Sequence, residues 1–277
     1  MNTSTTIDLL TAARLSHSGV GAFNVVLLEH AEGIVAGAEN VGLPVILQIS
    51  ENCIRYHGDL APIVLATLRI ARAASVPVTV HLDHIESGAL VRQGLALGVD
   101  SVMFDASKLP YNENVATTRE IVAACHSFGV PVEAELGEVG GKDGVHAFGV
   151  RTDPDDAVRF VDQTGVDSLA VAVGSSHAMT TRVASVDLDL IRRLSSAVPV
   201  PLVLHGSSGL PDDQLVAAIA AGMTKINIST HLNGLFTGAV RAVLQEKPLE
   251  TDPRTFVTAG RAALSAEVGR LLRLING

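Results

Sequence analysis

The stretch VTVHLDHIESGALVRQGLALGVDSVMFD, residues 78–105, contains one complete strand–helix–strand unit. Val78–Asp83 is a β-branched run that predicts a strand, and Leu90, Leu95 and Leu97 belong to a helical pattern in which Leu90 and Leu97 are two turns apart. Gly98-Val99-Asp100 then ends the helix, and Ser101–Asp105 predicts the next strand. Gly accepts the left-handed conformation that closes a helix, so the strand can begin within a few residues.

The same prelude recurs along the chain as Gly42-Leu43-Pro44, Gly129-Val130-Pro131, Gly165-Val166-Asp167 and Gly222-Met223. Pro directly after such a Gly prevents the helix from continuing. Counted this way, the predicted strands are Ala22–Val26, Pro44–Ser50, Val78–Asp83, Ser101–Asp105, Pro131–Leu136, Ser168–Val173, Pro201–His205 and Lys225–Ser229. Between them lie helical patterns such as Val216, Ile219 and Ala220, with starts marked by Asp153-Pro154-Asp155 and Pro211-Asp212-Asp213. Strand–helix alternation argues for parallel strands with helical crossovers. Eight such units in 277 residues fit a closed (β/α)8 barrel of the TIM type, an α/β fold, as a single domain over 1–277. The tail 251–277, led by Asp252-Pro253-Arg254, reads as an extra C-terminal helix. A doubly wound open sheet would place a Gly-rich phosphate turn after its first strand, whereas Gly19–Gly21 precedes it.

Composition narrows the function classes. Hydrophobic residues make up 47 %, which supports a large core and argues against disorder. A chain this long buries roughly three quarters of the surface its unfolded form exposes. Net charge is −9, and Lys108, Lys142, Lys225 and Lys247 stand beside sixteen arginines with no basic run, so nucleic acid is not expected as a partner. Small anions stay compatible with that surface, because a site collects its donors locally. Cys53 and Cys125 fit neither a disulfide framework nor a CxxC motif and read as small core residues. Met1 to Leu10 has no positive charge ahead of an apolar run, and no stretch of about 18 apolar residues suggests a membrane span. The expectation is a cytoplasmic protein without a membrane partner.

In a barrel of this kind the active site lies at the C-terminal strand ends. Strand three ends His81-Leu82-Asp83-His84, and strand four ends in Asp105. Strand five carries Glu133 and Glu135 on one face. Strand six is followed by Gly174-Ser175-Ser176-His177, and strand seven ends His205-Gly206-Ser207-Ser208-Gly209. Strand eight ends Asn227-Ile228-Ser229-Thr230. A lone His at a strand end is commonly a hydrogen-bonded structural group, but His84, His177 and His205 are expected at one rim with acids beside them. Together they can supply the three nitrogens of an open catalytic Zn²⁺ site. His81 is expected to orient the site, and His17, His30, His57, His126 and His146 are expected at the surface. The loops after strands seven and eight are rich in small and hydroxylated residues, which suits a phosphate there. Metal beside phosphate suggests a phosphorylated substrate whose carbonyl is polarised by a Lewis acid. Lysine Schiff-base chemistry is the rival, and Lys225 is expected at the start of strand eight, the wrong end of the barrel for it.

His81-Leu82-Asp83-His84, Glu133-Ala134-Glu135-Leu136-Gly137, Leu204-His205-Gly206 and Lys225-Ile226-Asn227 together resemble the class II fructose- and tagatose-bisphosphate aldolases. The resemblance runs in order from Gly21-Ala22-Phe23-Asn24 to the C-terminus. It implies zinc on His84, His177 and His205, with Asp105 and Glu135 at positions for a second or displaced metal, a divalent or monovalent cation. It implies that Asp83 moves the proton on the C4 oxygen while a zinc-stabilised enediolate of dihydroxyacetone phosphate forms. Asn24, Ser50 and Ala178 would touch substrate. Gly206, Ser207, Ser208, Asn227, Ile228, Ser229 and Thr230 would cradle its phosphate. It also implies a homo-oligomer, a dimer or a tetramer, in which Arg254 reaches a neighbouring site or the distal phosphate.

Three positions depart from the family pattern. Lys142-Asp143-Gly144 stands where relatives carry a loop Glu that shuttles the carbon-bound proton, leaving Asp143 as the substitute. Ala178 replaces a Gly, and His231 replaces an acid. Beside the aldolase, these departures keep open a non-catalytic sugar-phosphate-binding or regulatory protein, or an aldolase for a related phosphorylated ketose or keto acid.

Overall fold

The strand–helix alternation closes on itself. In the computed structural model, which describes residues 4–137, 151–175 and 179–277, eight parallel strands pair in chain order and the last returns to the first. The strands are β1 (Val20–Asn24), β2 (Val45–Ser50), β3 (Val78–Ile85), β4 (Ser101–Phe104), β5 (Val132–Glu135), β6 (Ser168–Ala170), β7 (Leu202–Leu204) and β8 (Met223–Ile228). Helix α1 (Thr6–Ser16) precedes the barrel. The first crossovers use α2 (Leu28–Val41), α3 (Glu51–His57), α4 (Leu60–Ala73), α5 (Gly88–Leu97) and α6 (Tyr111–His126). Then come α7 (Pro154–Thr164), α8 (Leu188–Ala197) and α9 (Asp212–Ala221), and the chain ends in α10 (Thr230–Glu246) and α11 (Pro253–Asn276).

All eight expected strands are present, with shifted ends. Pro44, Pro131 and Pro201 stand just outside β2, β5 and β7, because proline has no N–H to give the ladder. β1 and β8 each start two residues earlier than expected, at Val20 and Met223, so Gly21 lies inside β1. No helix among the described residues is long and apolar enough to cross a membrane.

The period of two along each strand splits its side chains between two environments. Val78, Val80 and Leu82 of β3, Val132 and Ala134 of β5, and Ile226 and Ile228 of β8 join the helices in one apolar layer. Their neighbours Thr79, His81, Asp83, Glu133, Glu135, Lys225 and Asn227 are buried on the opposite face, inside the barrel. Barrel interiors are usually filled with bulky branched residues; here the axis is polar over much of its length. At one end α1 closes the barrel: Leu9, Leu10 and Ala13 pack on Val20, Ala22 and Ile46 in a cluster of their own. The Thr6 hydroxyl there donates to Ser101 Oγ at 3.0 Å.

The C-terminal helix is part of the core. Leu264, Val268, Leu271, Leu272 and Ile275 of α11 are buried, and burial of each contributes about 1.5–3 kcal/mol. α11 approaches α2 so closely that a Cβ on Gly37 would lie 2.5 Å from the Ser265 carbonyl oxygen. Glycine is the residue that leaves this room.

Candidate metal centre and active site

Asp83 and His84 are consecutive, so a regular strand would send them to opposite faces. A bulge removes the conflict. Pairing between β3 and β4 steps from Leu82↔Val102 to Ile85↔Phe104, three residues against two. His84 sits in the left-handed region at φ 50°, an uncommon conformation for a residue with a side chain. Its backbone N–H donates to Met103 Sδ at 3.2 Å. Both side chains thereby reach the same cavity.

The bulge turns His84 toward His205, which lies just past β7. The two rings stand 4.7 Å apart at 68°. Glu135 comes from the inner face of β5, and donor atoms of His84, Glu135 and His205 all lie within 4.8 Å of one another. Two imidazoles and a carboxylate facing a cavity are a donor set that a divalent cation such as zinc accepts. This is the one such group among the described residues. His177, the third expected nitrogen ligand, lies outside the described residues, as do Ala178, Asp143 and His146. Asp105 is not in the cluster; its Oδ2 lies 2.7 Å from His84 Nδ1. Its Oδ1 accepts from the Ser107 hydroxyl. It therefore fixes the imidazole as carboxylates behind metal-binding histidines do.

His205 is fully buried between two carboxylates: Nε2 is 3.0 Å from Glu133 Oε1, and Nδ1 is 3.1 Å from Glu135 Oε2. Burial opposes a charge on the ring, yet its hydrogen bonds with Glu133 and Glu135 raise its pKa to about 9. The two carboxylates favour a positive charge there, which a proton or a cation can supply. Burial alone would likewise raise the Glu133 carboxyl, but Lys225, then His205 and His81, hold it well below the usual range.

Two expectations need correction. The backbone of Lys225 lies toward the start of β8, opposite Val20 at the start of β1, but its side chain is not remote from the centre. It is buried inside β8 with Nζ 2.7 Å from Glu133 Oε2 and 3.3 Å from His81 Nε2, because its long side chain spans the axis at the level of β5. The ion pair uses its charge, which leaves no free amine for Schiff-base formation. His30 is not a surface group either. It is buried on α2 and stacked on Phe236 of α10 at 4.7 Å.

Asn24, Gln48, Asp83, His84, Gly206, Ser208, Asn227, Ser229 and Thr230 line a cavity of about 180 Å³. Asn24 Nδ2 donates to Asp83 Oδ2 at 2.9 Å, and Gln48 Nε2 donates to Asn24 Oδ1 at 3.2 Å. Asp83 Oδ1 and Asn227 Oδ1 are buried with no hydrogen-bond partner among the described residues. Burial raises Asp83, but His84, Lys225, His205 and His81 outweigh it and lower its pKa, so the group is a carboxylate. Gly206 adopts φ 69° and opens the 3-10 turn Ser207–Gly209, a conformation that favours glycine. Ser208 Oγ accepts from the Ser229 N–H at 3.1 Å, which ties the two expected phosphate loops together. Ser229 makes no side-chain cap on α10, so the first turn of a 17-residue helix faces this region with its N–H groups open.

Four other expected contact residues have the following places. Ser50 is the N-cap of α3, accepting from the Cys53 N–H at 3.2 Å, and is not in the cavity lining. Ser207 donates its hydroxyl to the Leu204 carbonyl and the Ile228 side chain is in the apolar layer, and neither is in the cavity lining. Arg254 pairs with its own Asp252 at 2.6 Å. Gln48 is not singled out by motif reading, and Glu133 and Lys225 stand in the quoted motifs without a role assigned to them. The inward period of β2, β5 and β8 was the available signal. A wider hollow of about 610 Å³, lined by Asp155, Arg192 and Arg193 on α7 and α8, contains none of the cluster.

A closed parallel barrel with a histidine–glutamate cluster and a buried carboxylate at its strand ends defines an enzyme with a metal-type site. A protein-family model described as "Fructose-bisphosphate aldolase class-II" matches residues 4–277, and the chain belongs to that family. It is 37 % identical to a fructose-bisphosphate aldolase of Giardia intestinalis, over 93 % of this chain and 88 % of that one. It is 38 % identical to a 6-phospho-5-dehydro-2-deoxy-D-gluconate aldolase of Shouchella clausii, over 96 % and 92 %. The YdjI aldolase of Escherichia coli K12 superposes with a TM-score of 0.87 at 32 % identity, over 98 % of this chain and 97 % of that chain. The chain is thus a class II aldolase, a carbon–carbon lyase.

Proposed function

We propose that the enzyme is a zinc-dependent aldolase that reversibly cleaves a ketose 1,6-bisphosphate, of the fructose or tagatose type, into dihydroxyacetone phosphate and an aldehyde phosphate. The observation that carries the reading is the Asp83 carboxylate, held by Asn24 with its second oxygen unpartnered among the described residues, sharing a cavity with His84 of the His84–Glu135–His205 cluster. A divalent cation bound by His84, His205, Glu135 and the expected ligand His177 would supply Lewis-acid polarisation of the substrate carbonyl.

The chain's own residues do the rest. Asp83 takes the proton from the C4 hydroxyl in cleavage and returns it in condensation, with geometry set by Asn24 and Gln48. Asp105 keeps the His84 ring in its orientation. Gly206, Ser208, Asn227, Ser229 and Thr230 bind the phosphate through hydroxyl, amide and backbone N–H groups, the last at the positive end of α10. Asp143 is proposed as carrier of the carbon-bound proton.

The relative from Shouchella clausii favours one further substrate class, a phosphorylated keto sugar acid. The test is a parallel assay of fructose 1,6-bisphosphate, tagatose 1,6-bisphosphate and 6-phospho-5-dehydro-2-deoxygluconate. Dihydroxyacetone phosphate release is followed with zinc and after chelation. Turnover that survives complete metal removal would overturn the zinc reading. Phosphate-ligand binding without turnover of any of the three would favour a non-catalytic sugar-phosphate protein instead.

A further inference from the structure

A continuous line of buried polar contacts runs along the barrel axis from α1 to the candidate metal centre. Thr6 bonds Ser101, and Ser101 Oγ lies 2.7 Å from His81 Nδ1. His81 Nε2 meets Lys225 Nζ, Lys225 meets Glu133, and Glu133 meets His205. The donor and acceptor capacities along this line are unequal, and that inequality sets its direction. A lysine ammonium has three donors and no acceptor, so it needs an acceptor at each partner it touches. His81 Nε2 therefore accepts, which puts the His81 proton on Nδ1 facing Ser101. Glu133 is an acceptor through both oxygens, one turned to Lys225 and the other to His205 Nε2. His205 must then present Nε2–H to Glu133, and in the neutral ring Nδ1 is left as a lone pair beside Glu135.

We infer that Lys225 is a positioning residue for the metal centre: it orients the Glu133 carboxylate, which in turn fixes the tautomer of His205 that offers Nδ1 to a cation. Lys225 is neither one of the His84–Glu135–His205 donors nor part of the cavity lining, and its hydrogen bond to Glu133 is its route to His205. This inference rests on the metal reading of the cluster.

The mechanism makes an unusual prediction for a pair of variants. In Glu133→Gln the Lys225 ammonium still demands an acceptor, so the amide oxygen turns toward Lys225 and the NH₂ toward His205. His205 Nε2 must then accept, and its Nδ1 proton points at the metal position. Adding Lys225→Met removes the demand, and the amide is free to turn its oxygen back to His205. Zinc affinity of the apo protein, titrated in competition with a chromophoric chelator, is expected to fall about 10–100-fold in Glu133→Gln. In Glu133→Gln/Lys225→Met it is expected to recover at least about tenfold over the single variant. A purely structural role predicts the opposite order, with the double variant no better than the single. That order, or an unchanged affinity in Glu133→Gln, overturns the relay.

Histidine side-chain ¹⁵N spectra of the zinc-loaded wild type give a second readout that needs no variant to fold. His205 should carry its proton on Nε2, and a ring protonated on Nδ1 overturns the inference. Wild-type protein that takes up no zinc sinks the metal reading itself. Zinc uptake with the wrong tautomer sinks only the relay.

Discussion

His205 gathers more charge around it than any other ring of the cluster, and the sharpest expectations attach to it and to Asp83. With Glu133 on one nitrogen and Glu135 on the other, His205→Ala removes a donor and leaves two buried carboxylates facing each other. Zinc content by elemental analysis should fall to background, and retention of stoichiometric zinc would remove His205 from the ligand set. Asp83 makes a different prediction. Asp83→Asn keeps the shape and the Asn24 contact while removing the proton acceptor, so kcat should fall about 10²–10⁴-fold. Metal content should be retained, because Asp83 is outside the donor cluster. The chemistry of Asp83, His84 and His205 was legible from their residue types at strand ends. How they meet was not: the bulge at His84 uses a left-handed φ without a glycine to signal it. The reach of the Lys225 side chain to Glu133 and His81 was hidden for a related reason. Its depth along the axis depends on barrel stagger and side-chain reach, which residue order does not encode.

Helices α10 and α11 show what a linear pattern can and cannot convey. The helical character of α11 was readable from the Asp252-Pro253-Arg254 start, but its partner α2 belongs to a distant segment. Gly37 reads as an unremarkable small residue in α2 until α11 is laid across it. A Gly37→Val change should therefore loosen the C-terminal helix at a cost of about 1–3 kcal/mol. The urea midpoint should drop, and proteolysis should first cut within α11; an unchanged midpoint would mean that the two helices separate freely. The departure at His231 also has its explanation at this scale. Its Nε2 is 2.7 Å from Glu267 Oε1, and Glu267 is held by Arg270, which reaches Asp212 at the start of α9. Arg182 meets the same Asp212. Burial raises Glu267, but Arg270 and His231 dominate and bring its pKa to about 2. A carboxyl lowered in the folded state contributes stability that is full above its ordinary value near 4.5 and lost as pH falls toward 2. Glu267→Gln should destabilise the protein by about 1–3 kcal/mol at neutral pH. The gap to wild type should narrow as unfolding is measured from pH 5 down toward pH 3, and a gap independent of pH would contradict the assignment.

For the whole molecule, the question is how far the barrel would depend on a cation at the His84–Glu135–His205 cluster. Zinc-nucleated domains are unfolded without their metal because they have no core of their own. This chain has a continuous apolar layer between strands and helices, closed strand pairing and a second cluster under α1. The donors draw on β3, β5 and the end of β7, elements that already pair or pack without an ion. Metal should therefore bind a preformed fold and stabilise it by mass action. At zinc a thousandfold above its dissociation constant, that linkage amounts to about 4 kcal/mol. In a chain of this size each kcal/mol moves Tm by about 2–4 °C. Treatment with a strong chelator should then abolish activity and lower Tm by roughly 10 °C. The far-UV circular dichroism at 25 °C should stay unchanged, and zinc should restore both activity and Tm. Collapse of the helical signal on chelation would mean that the polar axis cannot stand without the ion's charge. An unmoved Tm would mean that the donors do not hold one. The strength of the expectation comes from the axis itself: Lys225 already compensates Glu133, and His205 can carry a proton in place of the cation, so the apo barrel has its own means of balancing the buried acids.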